Sequence, residues 1–194
     1  SGETSKTITV QVLGDQTDEA DETFLVNLSN PVGAQIADSQ AAATIRDDDP
    51  LPAISIADAS VAEGASGTKS LSFTLKLSPV SGRSVTVNYA TANGTAAAGS
   101  DYVAKSGSVT FSAGFTSQTV SITVNGDTLP EPDETLLLNV SKAVNATLAN
   151  NQAVGTLLDD DNLRISDATA AEGDGGTVET VFTISLAVPL PYEV

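Results

Sequence analysis

Leu71-Ser72-Phe73-Thr74-Leu75-Lys76-Leu77, residues 71–77, alternates apolar and polar side chains without a break. A strand sends successive side chains to opposite faces, so a period of two describes a strand with one face buried and one in water. The same alternation recurs in Ile54-Ser55-Ile56, Val85-Thr86-Val87-Asn88-Tyr89, Ser108-Val109-Thr110-Phe111 and Val120-Ser121-Ile122-Thr123-Val124. Two further runs, Leu136-Leu137-Leu138-Asn139-Val140 and Val154-Gly155-Thr156-Leu157-Leu158, are more evenly apolar. Turn residues separate the runs: Pro79, Ser81-Gly82, Asn93-Gly94, Ala113-Gly114 and Asn125-Gly126-Asp127. Seven short strands with turn signals about every 8–12 residues predict an all-β chain, folded as an antiparallel β-sandwich. Its expected core is Phe73, Leu75, Val87, Tyr89, Phe111, Ile122, Val124, Leu136, Leu138 and Val140. The one helix-friendly stretch, Ala96-Ala97-Ala98, is too short to nucleate a helix.

The composition agrees and narrows the chemistry. Of 194 residues, 40% are hydrophobic, enough to build a core and to separate this chain from a disordered acidic tail. Asp and Glu number 25 against 8 Lys and Arg, a net charge of −17, which excludes nucleic-acid binding through a basic face. With no Cys and no His there is no disulfide, no thiolate metal site and no imidazole base. No apolar run approaches the roughly 20 residues that span a bilayer, so no direct membrane insertion is expected. Ser1-Gly2-Glu3-Thr4 lacks the basic and apolar regions of a secretory leader, and a start without Met reads as a window on a longer chain.

The chain repeats itself. Residues 5–49 align without a gap on 117–161, at an offset of 112, and 21 of those 45 positions are identical, which marks a duplicated unit rather than shared composition. A second match runs forward at an offset of 109, carrying Asp58-Ala59, Glu63-Gly64, Phe73 and Leu77 onto Asp167-Ala168, Glu172-Gly173, Phe182 and Leu186. A unit of about 110 residues has the size of a sandwich domain. The expected organisation is therefore a tandem array. Residues 1–49 supply the last three strands of one repeat, 50–52 a linker, 53–161 a complete domain, and 162–194 the first two strands of a further repeat.

In an up-and-down sandwich alternate connections share a pole. Glu63 lies after the first strand and Asp101 between the third and fourth. Asp127, Glu131, Asp133 and Glu134 lie between the fifth and sixth, and Asp159, Asp160 and Asp161 follow the seventh. All these acids converge on one pole, Asp58 being the only acid of 53–161 left out, while the opposite loops carry Arg83 and Lys142. Carboxylates gathered in this way repel one another. A hard divalent cation resolves the conflict, and calcium, which takes several flexible oxygen ligands, suits the set better than magnesium. The other reading is a solvated acidic pole with no ion.

The same residues carry a family resemblance. Val61-Ala62-Glu63-Gly64, the run from Gly94 to Tyr102, Gly107-Ser108-Val109-Thr110-Phe111, the run from Asp127 to Glu134 and the terminal Asp159-Asp160-Asp161 cover 53–161 in order. Together they resemble the Calx-beta domain, a calcium-binding sandwich of sodium–calcium exchangers and large bacterial surface proteins. The resemblance implies an immunoglobulin-like fold and calcium (Ca2+) ligands at Glu63, Asp101, Asp127, Glu131, Glu134, Asp159, Asp160 and Asp161. Carried onto the partial repeats, it implies Asp15, Glu19, Glu22, Asp47, Asp48 and Asp49 in the first and Glu172 alone in the last, neither a whole site. Asp133 matches a family acid that is not taken as a ligand. Gly126 and Thr128 replace acids found in better-ligated members, which leaves the number of ions open.

Other features have plainer readings. Tyr89 and Tyr102 are expected to pack rather than to form a sugar platform. The sequons at Asn27, Asn93, Asn139 and Asn145 arise easily in a Ser/Thr-rich chain. Gly173-Asp174-Gly175-Gly176 reads as a turn. The acids cluster without an aromatic cleft, so no enzyme is expected. The function expected is that of a calcium-rigidified spacer in an extracellular or cell-surface, adhesin-like protein, with neighbouring repeats of the same longer chain as partners. The alternatives are a calcium-sensing regulatory domain attached to a membrane transporter, and a segment that joins like chains in a filament. Pro50 and Pro52 restrict the first junction, whereas the second is shorter and has no Pro, so its stiffness is expected to depend more on calcium.

Overall fold

The computed structural model describes residues 2–161 and 164–185. Between 53 and 158 it forms two packed sheets. One sheet has the order β10-β3-β5-β8, from β3 (Ala53–Ile56), β5 (Thr68–Ser78), β8 (Ser117–Asn125) and β10 (Thr147–Leu148). The other has the order β4-β11-β9-β6-β7, from β4 (Ala59–Ala62), β6 (Val85–Asn93), β7 (Ser106–Phe111), β9 (Glu134–Val144) and β11 (Gln152–Leu158). All seven expected strands are present, and two short ones are added. The first strand divides: β3 pairs antiparallel with β5, and the chain then crosses to the other sheet, where β4 pairs parallel with β11. Asp58, at the crossing, accepts the Val154 amide at 2.7 Å, which explains the one acid that stays away from the pole.

The alternating residues interdigitate between the sheets. Phe73 and Leu75 of β5 and Ile122 and Val124 of β8 are buried together with Val87, Phe111, Leu136, Leu138 and Val140 from the facing sheet. Tyr89 departs from the expected core: it is half-buried at the margin. There it lies over Gly107, its register partner on β7, where an added Cβ would come 3.0 Å from the tyrosine hydroxyl. Tyr102 is buried, and its hydroxyl donates to Asn93 Oδ1 at 2.7 Å. That side chain also accepts the Ala98 amide, so the Asn93 sequon is engaged in the fold.

The flanking segments repeat the central pairing. β1 (Glu22–Asn27) and β2 (Gln40–Ile45) pair from Glu22↔Ile45 to Asn27↔Gln40. Shifted by the repeat offset, this is the Glu134↔Leu157 to Asn139↔Gln152 register of β9 and β11. The side chains agree: Gln40 donates to Asn27 and Gln152 to Asn139, each at 2.8 Å. β12 (Arg164–Ile165) and β13 (Ile184–Ser185) pair as β3 and β5 do. Residues 5–13, expected as a strand equivalent to β8, form none. In the central domain the equivalent strand, β8, is laddered on β5, and residues 5–13 have no such pairing among the described residues. The end of the expected second strand of the last repeat, from Leu186 onward, lies outside the described residues.

The sheets pack tightly at Gly155 of β11. A Cβ there would fall 2.6 Å from Leu71 Cδ2 and 2.7 Å from Phe73 Cζ. Gly155→Ala is therefore expected to overpack the core and lower stability by about 1–3 kcal/mol. Urea unfolding of the variant checks this, and an unchanged midpoint would contradict the tight packing.

Candidate metal centre

The pole is assembled by the β4–β11 ladder. Its register runs in parallel from Ala59↔Gly155 to Ala62↔Leu158, and the Glu63 amide extends it by donating to the Leu158 carbonyl at 3.1 Å. Parallel strands in register leave the sheet at the same end, so Glu63 and Asp159 emerge side by side. One carboxylate oxygen from each of Glu63, Asp159 and Asp161 lies within 4.8 Å of the others. Glu63 is 6% exposed and Asp161 2%. Glu63 Oε1 and both carboxylate oxygens of Asp161 meet no donor among the described residues. Buried carboxylate oxygens without partners are costly.

A second carboxylate group stands beside the first. Asp101, in the β6–β7 connection, accepts the Ala97 amide at 2.7 Å, and it shares a hydrogen bond with Glu134 at the start of β9. Asp127 and Glu131, in the β8–β9 connection, act on both groups. Burial, followed by the charges of Asp127, Glu131, Asp159 and Asp161, pushes the Glu63 carboxyl from 4.5 up to about 7. Burial and then the Asp101 contact push Glu134 to about 7 as well. Burial, with Asp127, Asp101 and Asp159, raises Glu131. Burial and the neighbouring Asp160, Asp159 and Asp127 raise Asp161. Burial also pushes Asp101 upward, but the bonds from Ala97, Ser100 and Glu134 outweigh it and hold the group below its usual value.

The structure thus brings the eight expected ligands of this repeat into one electrostatic cluster, in which Asp160 has a further tie of its own. Asp160 Oδ1 accepts the Gly64 amide at 2.9 Å, which fastens the Glu63-Gly64 turn to the end of β11. Asp133, not taken as a ligand, accepts the Asp159 amide at 3.1 Å and so orients the aspartate run. Gly126 has a packing reason. A Cβ there would lie 1.8 Å from the Gly64 carbonyl oxygen and 2.7 Å from that of Glu63, so the turn fills the space an acid would need. Loop-by-loop reading missed Lys69, which belongs to β5. Its side chain covers Gly64, with Nζ 3.4 Å from an added Cβ, and places a cation beside the pole.

The first repeat shows the same design. Asp15, Glu19, Glu22, Asp47, Asp48 and Asp49 line one cavity. Asp15 accepts the Thr17 amide at 2.7 Å, as Asp127 accepts that of Leu129. Asp21 accepts the Asp47 amide at 3.1 Å, as Asp133 accepts that of Asp159. Burial and the neighbouring Asp47, Asp48, Asp15 and Asp18 raise the Asp49 carboxyl. Glu172, by contrast, is exposed in the connection between β12 and β13 and joins no group of metal-ligating side chains among the described residues.

An oxygen-only donor set with unpaired buried oxygens and flexible carboxylates fits a hard divalent cation. Comparison with known proteins agrees on the architecture. The Calx-beta domain model matches residues 1–49 and 54–161. The adhesion G-protein coupled receptor V1 of Danio rerio is 30% identical over 158 residues, which is 77% of this chain. The chain spans about 2% of that receptor's length. The crystal structure of CBD12 from CALX1.2 is similar in fold, with a TM-score of 0.51 and 24% identity, over 59% of this chain and 49% of that one. The crystal structure of the apo-form Calx CBD1 domain matches over 58% of this chain and all of its own, with a TM-score of 0.49 and 24% identity.

The raised carboxyls set a pH dependence. Between 4.5 and about 7 the folded chain holds protons on Glu63 and Glu134 that the unfolded chain has released, so without metal its stability falls as pH rises through this window. Metal-stripped protein is therefore expected to melt at a lower temperature at pH 8 than at pH 5.5. A melting temperature that rises over that interval would contradict the clustered arrangement.

Proposed function

The chain belongs to the Calx-beta domain family, and on that premise we propose that residues 53–161 bind calcium at this pole and act as a calcium-rigidified spacer. The observation that carries the reading is the set of buried, unpaired oxygens on Glu63 and Asp161, gathered with an Asp159 oxygen within 4.8 Å. Glu63, Asp159 and Asp161 would hold the ion, with Asp101, Asp127, Glu131 and Glu134 as the adjoining oxygen donors. Bound calcium supplies a positive charge that offsets their repulsion. Asp160 keeps the Glu63-Gly64 turn in place, and Asp133 keeps the aspartate run aimed at the pole.

The role follows from chain order. The aspartates follow β11, and β12 begins at Arg164. Fixing the aspartates fixes the exit of one repeat beside the entrance of the next, which is what a stiff tandem array needs. We read the partial segments on either side as further repeats of that array, and we place the array in an extracellular or cell-surface protein. The adhesion receptor relative supports that setting. We read the role as structural and non-catalytic.

Thermal unfolding with and without calcium tests the proposal. An ion that binds only the folded chain adds roughly 2.7 kcal/mol at a hundredfold excess over Kd. Glu63→Gln and Asp161→Asn are each expected to shrink that gain while raising the melting temperature of the metal-free chain, because each removes a repelling charge. Melting curves that superimpose with calcium and with chelator would leave only a solvated acidic pole.

A further inference from the structure

Asp18 is 1% exposed, although the residues on either side of it are not buried. It lies in the acidic loop of the first repeat, and all of its partners belong to the domain that follows. Ser81 Oγ donates to Asp18 Oδ2 at 2.7 Å, Arg83 Nε donates to the same oxygen at 3.2 Å, and Arg83 Nη2 pairs with Oδ1. The backbones join as well: the Gly82 amide donates to the Asp18 carbonyl at 2.9 Å, within a parallel bridge between Asp18 and Ser81. The receiving turn is itself braced. Ser81 Oγ accepts the Arg83 amide at 3.0 Å, and the Ser81 carbonyl accepts the Gly114 amide at 2.9 Å. Gly82 leaves the space that Glu19 fills, since a Cβ there would fall 2.8 Å from Glu19 Cγ.

A carboxylate buried this deeply needs its full set of donors, and here a guanidinium and a hydroxyl of the next repeat supply them. The residue types of this pair are not repeated at the second joint. At the repeat offsets, Pro130 stands where Asp18 does, and Leu190-Pro191-Tyr192 stands where Ser81-Gly82-Arg83 does.

We propose that Asp18 and the Ser81-Gly82-Arg83 turn form a metal-independent latch that holds the first repeat on the second, so that this joint stays closed when calcium is removed. The latch goes beyond the calcium reading and does not rest on it. Its kind of partner is defined by chemistry: an acidic loop with a buried Asp, received by a Ser-Gly-Arg turn.

The test uses the whole chain, kept in chelator throughout. Because the sequence has no Cys, Ser29→Cys and Ser108→Cys accept spin labels uniquely, one on each side of the joint. The unmodified latch is expected to give one narrow distance distribution. Asp18→Ala and Arg83→Gln are each expected at least to double its width, and the two together to widen it no further than either alone, with the melting temperature of the central domain unchanged. A broad distribution before any latch residue is altered, or a narrow one that survives Asp18→Ala, would overturn the latch. Since no metal is present, neither outcome bears on whether the pole binds calcium.

Discussion

The organisation of the pole depends on one pairing, the parallel ladder between β4 and β11. Because Ala62 and Leu158 are partners at the end of that ladder, the next residues of both strands, Glu63 and Asp159, leave the sheet together. An antiparallel pairing would send them to opposite ends. The crossing that makes the ladder possible is held by Asp58 on Val154, and its far end is held by Asp160 on Gly64. Two aspartates therefore accept backbone amides and hold in place the turn and the strands that bring the other acids together.

That division explains how a chain of net charge −17 remains folded. In the central domain the apolar core between the sheets supplies the driving force, and the acids other than Asp58 gather at one end, where proton uptake relieves their repulsion. Glu63 shows the balance most directly: its oxygen is buried and unpaired, and its carboxyl is held near 7 by burial and by four neighbouring acids. On the proposed reading, repulsion concentrated beside an inter-repeat connection would make the stiffness of that connection sensitive to cations. The first connection adds a cation of its own, Arg83, seated on Asp18 and also within the field of Asp47.

Much of this was legible in the residues. Strict alternation in 71–77 and 120–124 gave strands with the correct buried faces, since period two admits one phase against a single core. Counting acids by connection found the pole, because up-and-down topology sends alternate loops to the same end. The split of the first strand was not legible. Ala59-Ser60-Val61-Ala62 is too short and too mildly apolar to separate a strand from a loop, and the parallel partner that orders it lies almost a hundred residues away. Lys69 was overlooked because it is a strand residue that reaches a loop. The docking of Asp18 was hidden because no local pattern marks a contact between repeats, although the change from Asp18 to Pro130 at equivalent positions was visible. Residues 5–13 carried a strand pattern and formed no strand, whereas the equivalent residues of the central domain, β8, are paired with β5.

The central claim is that Glu63, Asp159 and Asp161 are brought together to hold one calcium ion. Anomalous scattering from crystals of this chain grown in calcium tests it most directly. The account predicts a peak among those three carboxylates, within bonding distance of Glu63 Oε1 and of at least one Asp161 oxygen. Ordered, water-bound carboxylates with no peak there at saturating calcium would contradict it.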